Sequence, residues 1–115
     1  MNTLSGKFEV EIGKKKYTCH LSMNAFRLLC EREDLKFAEM DDYLQQRPLT
    51  AVPKVIYYGL VNNIYSTNGK LDSLPEYEFF ASQVLESPQN LEKYTELIGK
   101  AFMGEAELAE EQGKK

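Results

Sequence analysis

The stretch from Leu49 to Ser66, LTAVPKVIYYGLVNNIYS, constrains this chain more than any other, because it reads as a helix that is apolar on more than one side. Val52, Ile56, Leu60 and Ile64 form one row at i+4 spacing, and Tyr57, Val61 and Tyr65 form the row beside it. Two adjacent apolar rows need neighbours on two flanks, so a helix over 50–66 belongs at the centre of the domain with the other elements packed around it. Each Val, Leu or Ile fully buried there contributes about 1.5–3 kcal/mol. Gly59 and Asn63 lie behind Val55, with Asn62 and Ser66 close by. A glycine on that side costs about 1 kcal/mol of helix propensity relative to alanine and allows another backbone to come close. Thr50 is the expected cap of this helix, with Pro53 in its first turn, where a missing N–H is tolerated.

The segments before it fit that role. Phe8, Val10 and Ile12 alternate with Lys7, Glu9 and Glu11, and Tyr17, Cys19 and Leu21 alternate with Lys16, Thr18 and His20. Gly13 between the runs supplies a tight reversal, which predicts an antiparallel hairpin over 7–21. Two strands alone are marginal in water, so the hairpin must lay its apolar face on helices or pair with another copy. Ser22 then caps a helix in which Met23, Phe26, Leu29 and Cys30 share a face, while Leu28 points away, toward a second neighbour or toward solvent. A short helix over 37–46 follows, anchored by Met40, Tyr43 and Leu44 and ended by Pro48.

Beyond the central helix, Asn68 and Gly69 form a turn. Ser73 with Glu76 has the capping-box spacing for a helix with Tyr77, Phe80, Ala81 and Val84 on one face, and Phe79 lies opposite. Ser87 followed by Pro88 opens a last helix with Leu91, Tyr94, Ile98 and Phe102 as its stripe, and Gly104 is its natural stop. The remainder, EAELAEEQGKK, is charged and predicts a frayed tail over 104–115 outside the core. The expected architecture is mostly α (α+β): one domain over 1–103, with the hairpin at 7–21, about five helices over 22–103, and helix 50–66 in the middle.

Composition excludes several function classes. A length of 115 residues suffices for one core without staples, and a net charge of −4 argues against a nucleic-acid binder. Lys14, Lys15 and Lys16 read as a solvated hairpin tip. No apolar run approaches the roughly 20 residues of a membrane span and Met1 to Ser5 begins no signal peptide, so a cytoplasmic protein is expected. Cys19 and Cys30 fall at apolar positions and read as buried thiols. His20 neighbours Cys19, but successive strand residues face opposite ways, so no metal site is expected. Glu39, Asp41 and Asp42 form a carboxylate cluster without a nearby histidine, lysine or loop glycine. No nucleophile elbow, phosphate loop or zinc-peptidase helix occurs, so the expectation is a non-enzymatic protein with no cofactor.

What stands out is aromatic content. Tyr58, Tyr65 and Phe79 are surplus to the stripes just described. Tyrosines can line a core margin with the hydroxyl wet, or the three can form a patch that receives a partner, and both readings are open. As partner-binding residues the candidates are Tyr58, Tyr65 and Phe79, together with the tail after Gly104.

The order of elements carries a resemblance. A hairpin turning at Ile12, Gly13 and Lys14 before Tyr17 leads to a helix with Ala25, Phe26, Leu28 and Leu29, a short linking helix, and a central helix bearing Tyr57, Tyr58, Gly59 and Leu60. Over about residues 7–103 this resembles the tail assembly chaperones of long-tailed bacteriophages and prophages. The resemblance implies a protein acting in the bacterial cytoplasm that holds the aggregation-prone tape measure protein, helps tail-tube subunits assemble around it, and in some members self-associates as a homo-oligomer. Many members are made in two lengths by a programmed frameshift, and Gly113, Lys114 and Lys115 are compatible with an adenine-rich slippery run or with an ordinary solubilising tail. The alternatives are a structural virion component, such as a tail or head completion protein, and, further off, a small nucleic-acid-binding regulator.

Overall fold

Alternating apolar residues meet a two-residue reversal at the start of the chain, and this produces the hairpin of β1 (Lys7–Ile12) and β2 (Lys15–His20). The structure, a computed structural model, describes residues 6–113, with side chains described through Phe102. The strands pair antiparallel, with Phe8 opposite Cys19, Val10 opposite Tyr17 and Ile12 opposite Lys15. Gly13 has φ +64° and opens the turn, a backbone conformation that side-chain-bearing residues rarely adopt. The pair is the sole sheet among the described residues, and its inner face (Val10, Ile12, Cys19) is buried.

Five α-helices follow: α1 (Met23–Glu33), α2 (Met40–Gln46), α3 (Pro48–Ser66), α4 (Tyr77–Val84) and α5 (Pro88–Gly113). Short 3₁₀ turns at Phe37–Glu39 and Leu71–Ser73 join them. The fold is mostly helical with an N-terminal hairpin, as the sequence pattern predicts. The helix α3 is the central element, touched by β2, α1, α2, α4 and α5. It buries Val52, Val55, Ile56, Tyr58, Leu60, Val61 and Asn62, residues that point to every side of the helix.

Gly59 is where the hairpin meets α3. A Cβ placed there would run into Cys19 Sγ and come to 2.8 Å from Leu21 Cδ2 and 3.6 Å from the His20 backbone nitrogen. The bare backbone is what lets β2 lie directly on the helix. Beside it, the buried Asn62 ties three segments together. Its Nδ2 donates to the His20 carbonyl (2.9 Å) and to Ser22 Oγ (3.0 Å), and its Oδ1 accepts from Asn24 Nδ2 (2.8 Å). A buried amide with both ends satisfied fixes one arrangement of strand end, helix start and central helix.

Several boundaries depart from the sequence reading. Helix α3 begins at Pro48, so Pro48 opens the central helix, Thr50 lies inside it, and Pro53 stands beyond the first turn. Pro53 therefore denies a hydrogen bond to the Leu49 carbonyl, in the entry turn where Leu49 is 62% exposed and water has access. Ser22 precedes α1 without a side-chain cap, because its hydroxyl is engaged by Asn62. Ser73 bonds the Lys70 carbonyl and caps no α-helix, and α4 starts after Glu76. Ser87 does cap α5, its Oγ accepting from the Asn90 N–H at 3.1 Å. Leu28 is buried, so α1 is covered on a second side, whereas Met23 is 46% exposed.

Two helix ends are closed by left-handed residues that are not glycine: Asp34 (φ 55°) after α1 and Asn68 (φ 58°) after α3. At the second, the Gly69 N–H reaches back to the Ile64 carbonyl and the Asn68 N–H to that of Tyr65, the Schellman pattern. Gly104 does not stop α5, which continues to Gly113. The contacts of the tail's side chains, like Lys114 and Lys115, lie outside the described residues. Among the described residues, no helix is long and apolar enough to cross a membrane.

Candidate functional site

The three surplus aromatics do not form one patch. Tyr58 is 8% exposed, and its hydroxyl donates to Glu33 Oε2 at 2.9 Å, so it lines the core margin. Tyr65 is 46% exposed and engages the Arg32 guanidinium at the end of α1. Phe79 is 48% exposed and lies by the hairpin turn, its ring 3.7 Å from where a Gly13 Cβ would stand. Phe79 helps wall a shallow depression with Lys14, Tyr17, Asp72 and Pro75.

Tyr58 belongs to a polar cluster where α1, α3 and α4 meet. Glu33 Oε2 also accepts from Lys54 Nζ at 3.3 Å, and Lys54 Nζ sits 4.5 Å from the centre of the Tyr77 ring. Tyr57 stands edge-on to Tyr58, Tyr77 and Phe80, with centroids 5.1–6.1 Å apart. Burial, reinforced by the hydrogen bond to Glu33, drives the Tyr58 hydroxyl well above the ordinary tyrosine range. Burial, with Tyr43 and Glu78 nearby, pushes Tyr77 up to about 12.

A group held protonated by the fold stabilises it below the unfolded-state pKa of about 10 and withdraws that contribution as pH rises toward the folded value. Stability is therefore expected to fall between about pH 10 and 12. Urea midpoints measured across that window should decline less steeply in Tyr77→Phe than in the parent. Equal slopes would mean that Tyr77 titrates alike in both states.

Another apolar surface lies on the side where α2 and α5 both lean on α3. Between them runs an open furrow of about 530 Å³, lined by Asp41, Leu44, Gln45, Thr95, Ile98, Gly99 and Phe102. Ile98 is fully buried and forms its floor. A Cβ at Gly99 would meet nothing within 4 Å, so this glycine answers to no packing partner and widens the furrow. Phe102 forms one wall and joins a ring cluster with Phe26 (5.5 Å, 78° between planes) and Phe37 (5.6 Å).

Phe37 is 45% exposed and begins a second, smaller furrow of about 260 Å³ with Met23, Arg27, Cys30 and Glu31. The two furrows share the Phe37–Phe102 contact as a common ridge. Contiguous exposed apolar surface with a polar rim is the usual mark of a protein interface.

The sequence reading placed Met23 and Phe102 on core stripes and did not single out Phe37 or Gly99. The signal available was Gly99 itself, between Ile98 and Phe102 in an otherwise good helix, where it costs about 1 kcal/mol against alanine with no turn to make. As for metal, Cys19 is fully buried with Sγ directed at the Ile56 carbonyl, and burial pushes its thiol up. Among the described residues no three His, Cys, Asp or Glu side chains gather as a metal site. No protein-family model, curated protein or solved structure matches the chain.

Proposed function

We propose that this chain is a non-enzymatic tail assembly chaperone of a long-tailed phage or prophage, binding the tape measure protein and assisting tail-tube assembly in the host cytoplasm. The observation that carries the binding reading is the pair of open apolar furrows flanking the Phe37–Phe102 ridge, which gathers non-polar side chains of α1, α2 and α5 on adjoining surfaces. The resemblance in element order supplies the choice of client. An acidic body keeps such a complex dispersed, since its net charge is −4.

The test is co-expression of the tagged chain with the tape measure protein encoded in the same gene cluster. Co-purification, a tape measure protein that stays in the supernatant, and absence of the chain from finished particles are expected. A chain that persists in purified particles at a fixed ratio to the tail-tube subunit would make it a structural virion component instead.

A further inference from the structure

We propose that the furrow between α2 and α5 takes a single partner helix whose apolar face is flanked by lysine or arginine, a refinement that rests on the client-binding reading above.

The choice of a helix follows from the hydrogen-bond inventory of the furrow. Its polar lining is small and partly engaged by its own neighbours: Gln45 Nε2 donates to the Asp41 carboxylate (3.1 and 3.2 Å), and the Thr95 hydroxyl donates to the Leu91 carbonyl (2.7 Å). The rest of the lining is Leu44, Ile98, Gly99 and Phe102. An extended peptide laid there would set most of its backbone N–H and C=O groups against the apolar lining, where few partners meet them, a costly burial. A helix satisfies those groups internally and presents only side chains, as in helix-in-groove recognition. Helices α2 and α5 pack on α3 more than on each other, so the site has the form of a missing neighbour. Gly99 removes the ridge that would keep a third helix at a distance.

The choice of charge follows from the rim. Asp41 lies in the wall, and its exposed neighbour Asp42 is on the same short helix. On α5 the exposed Glu92 and Glu96 stand one turn before Thr95 and Gly99, hence beside the furrow. No lysine or arginine is among the described lining residues. The carboxylates therefore face the flanks of any docked helix, attracting cationic flanks and repelling anionic ones. Such complementarity sets partner choice and on-rate more than raw affinity.

The experiment uses the full chain and two synthetic amphipathic peptides of about 18 residues, five turns each. They share one leucine face and carry either lysine or glutamate on its flanks, and binding is read by fluorescence anisotropy at low and high salt. The lysine peptide should bind at least about tenfold more tightly than the glutamate peptide, with the difference shrinking in high salt. Gly99→Leu, which grows into open space, should weaken it about tenfold or more at unchanged melting temperature. Thr95→Arg is a second block, at an exposed position, should Gly99→Leu melt early. Glu9→Gln with Glu11→Gln removes two carboxylates from the hairpin, which meets α5 through Leu97, Lys100 and Ala101 and not through the furrow, and should leave binding unaltered.

Equal affinity for both peptides overturns the charge selection, and binding untouched by either block overturns the furrow as the site. A lysine peptide that fails while the tape measure protein still co-purifies overturns this proposal and leaves the chaperone reading standing. The reverse result sinks the chaperone reading alone.

Discussion

Gly59→Ala destabilises the protein by about 2–3 kcal/mol, the upper part of the overpacking range, although alanine is the better helix former by about 1 kcal/mol. The added methyl would overlap Cys19 Sγ and press Leu21 Cδ2 at 2.8 Å, and both side chains are fully buried with nowhere to retreat. The hairpin must lift off α3, and it takes the Asn62 bond to the His20 carbonyl with it. In a domain of this size the melting temperature should drop by roughly 10 °C. The diagnostic part is rescue. Cys19→Ala removes the atom in the way, so the double variant should recover more than about 1 kcal/mol relative to the sum of the single changes. Strict additivity in a thermal or urea double-mutant cycle would show that the strand does not rest on this glycine.

That contact was half legible in the sequence. The pattern around Val55 and Gly59 signals a close approach, and the alternation in residues 7–12 and 16–21 signals a strand pair needing a helical floor, but nothing local says that the two meet. The same limit governs the candidate site. Asp41 and Leu44 are separated from Thr95 and Phe102 by the whole of α3 and α4, so a furrow between α2 and α5 comes only from where α3 places them.

Tyrosines were ambiguous for a related reason. Tyr58 and Tyr65 lie two turns apart on one helix, and what separates them is the partner each finds on α1: Glu33 draws the first inward, while Arg32 meets the second at the surface. Gly104 misled because a glycine read by itself resembles a helix stop. The stop also needs a left-handed residue and a carbonyl to receive its N–H, which the chain supplies at Asp34 and Asn68 and not there.

Phe26 is where stability and the proposed binding surface are joined, so Phe26→Ala is expected to carry the second large effect, about 3–5 kcal/mol. Its ring is 1% exposed, fills the space beneath α1 and stands edge-on to both Phe102 (5.5 Å) and Phe37 (6.4 Å). Removing it leaves a cavity under the ridge between the two furrows, and the outer rings lose the face that holds them upright. Phe37→Ala makes the contrast, since that residue is 45% exposed and its loss should cost under about 1 kcal/mol.

Urea unfolding should thus show a much lowered midpoint for Phe26→Ala and a nearly parental one for Phe37→Ala. Under conditions where both remain folded, both are expected, on the client reading proposed above, to bind the tape measure protein more weakly. A Phe26→Ala variant that keeps full affinity while still folded would separate the ridge from the binding surface. A Phe37→Ala variant that melts as early as Phe26→Ala would assign the outer ring to the core. Parental stability with reduced binding in Phe37→Ala is what a surface built for a partner requires, because an exposed aromatic held by its neighbours contributes to the complex what it withholds from the fold.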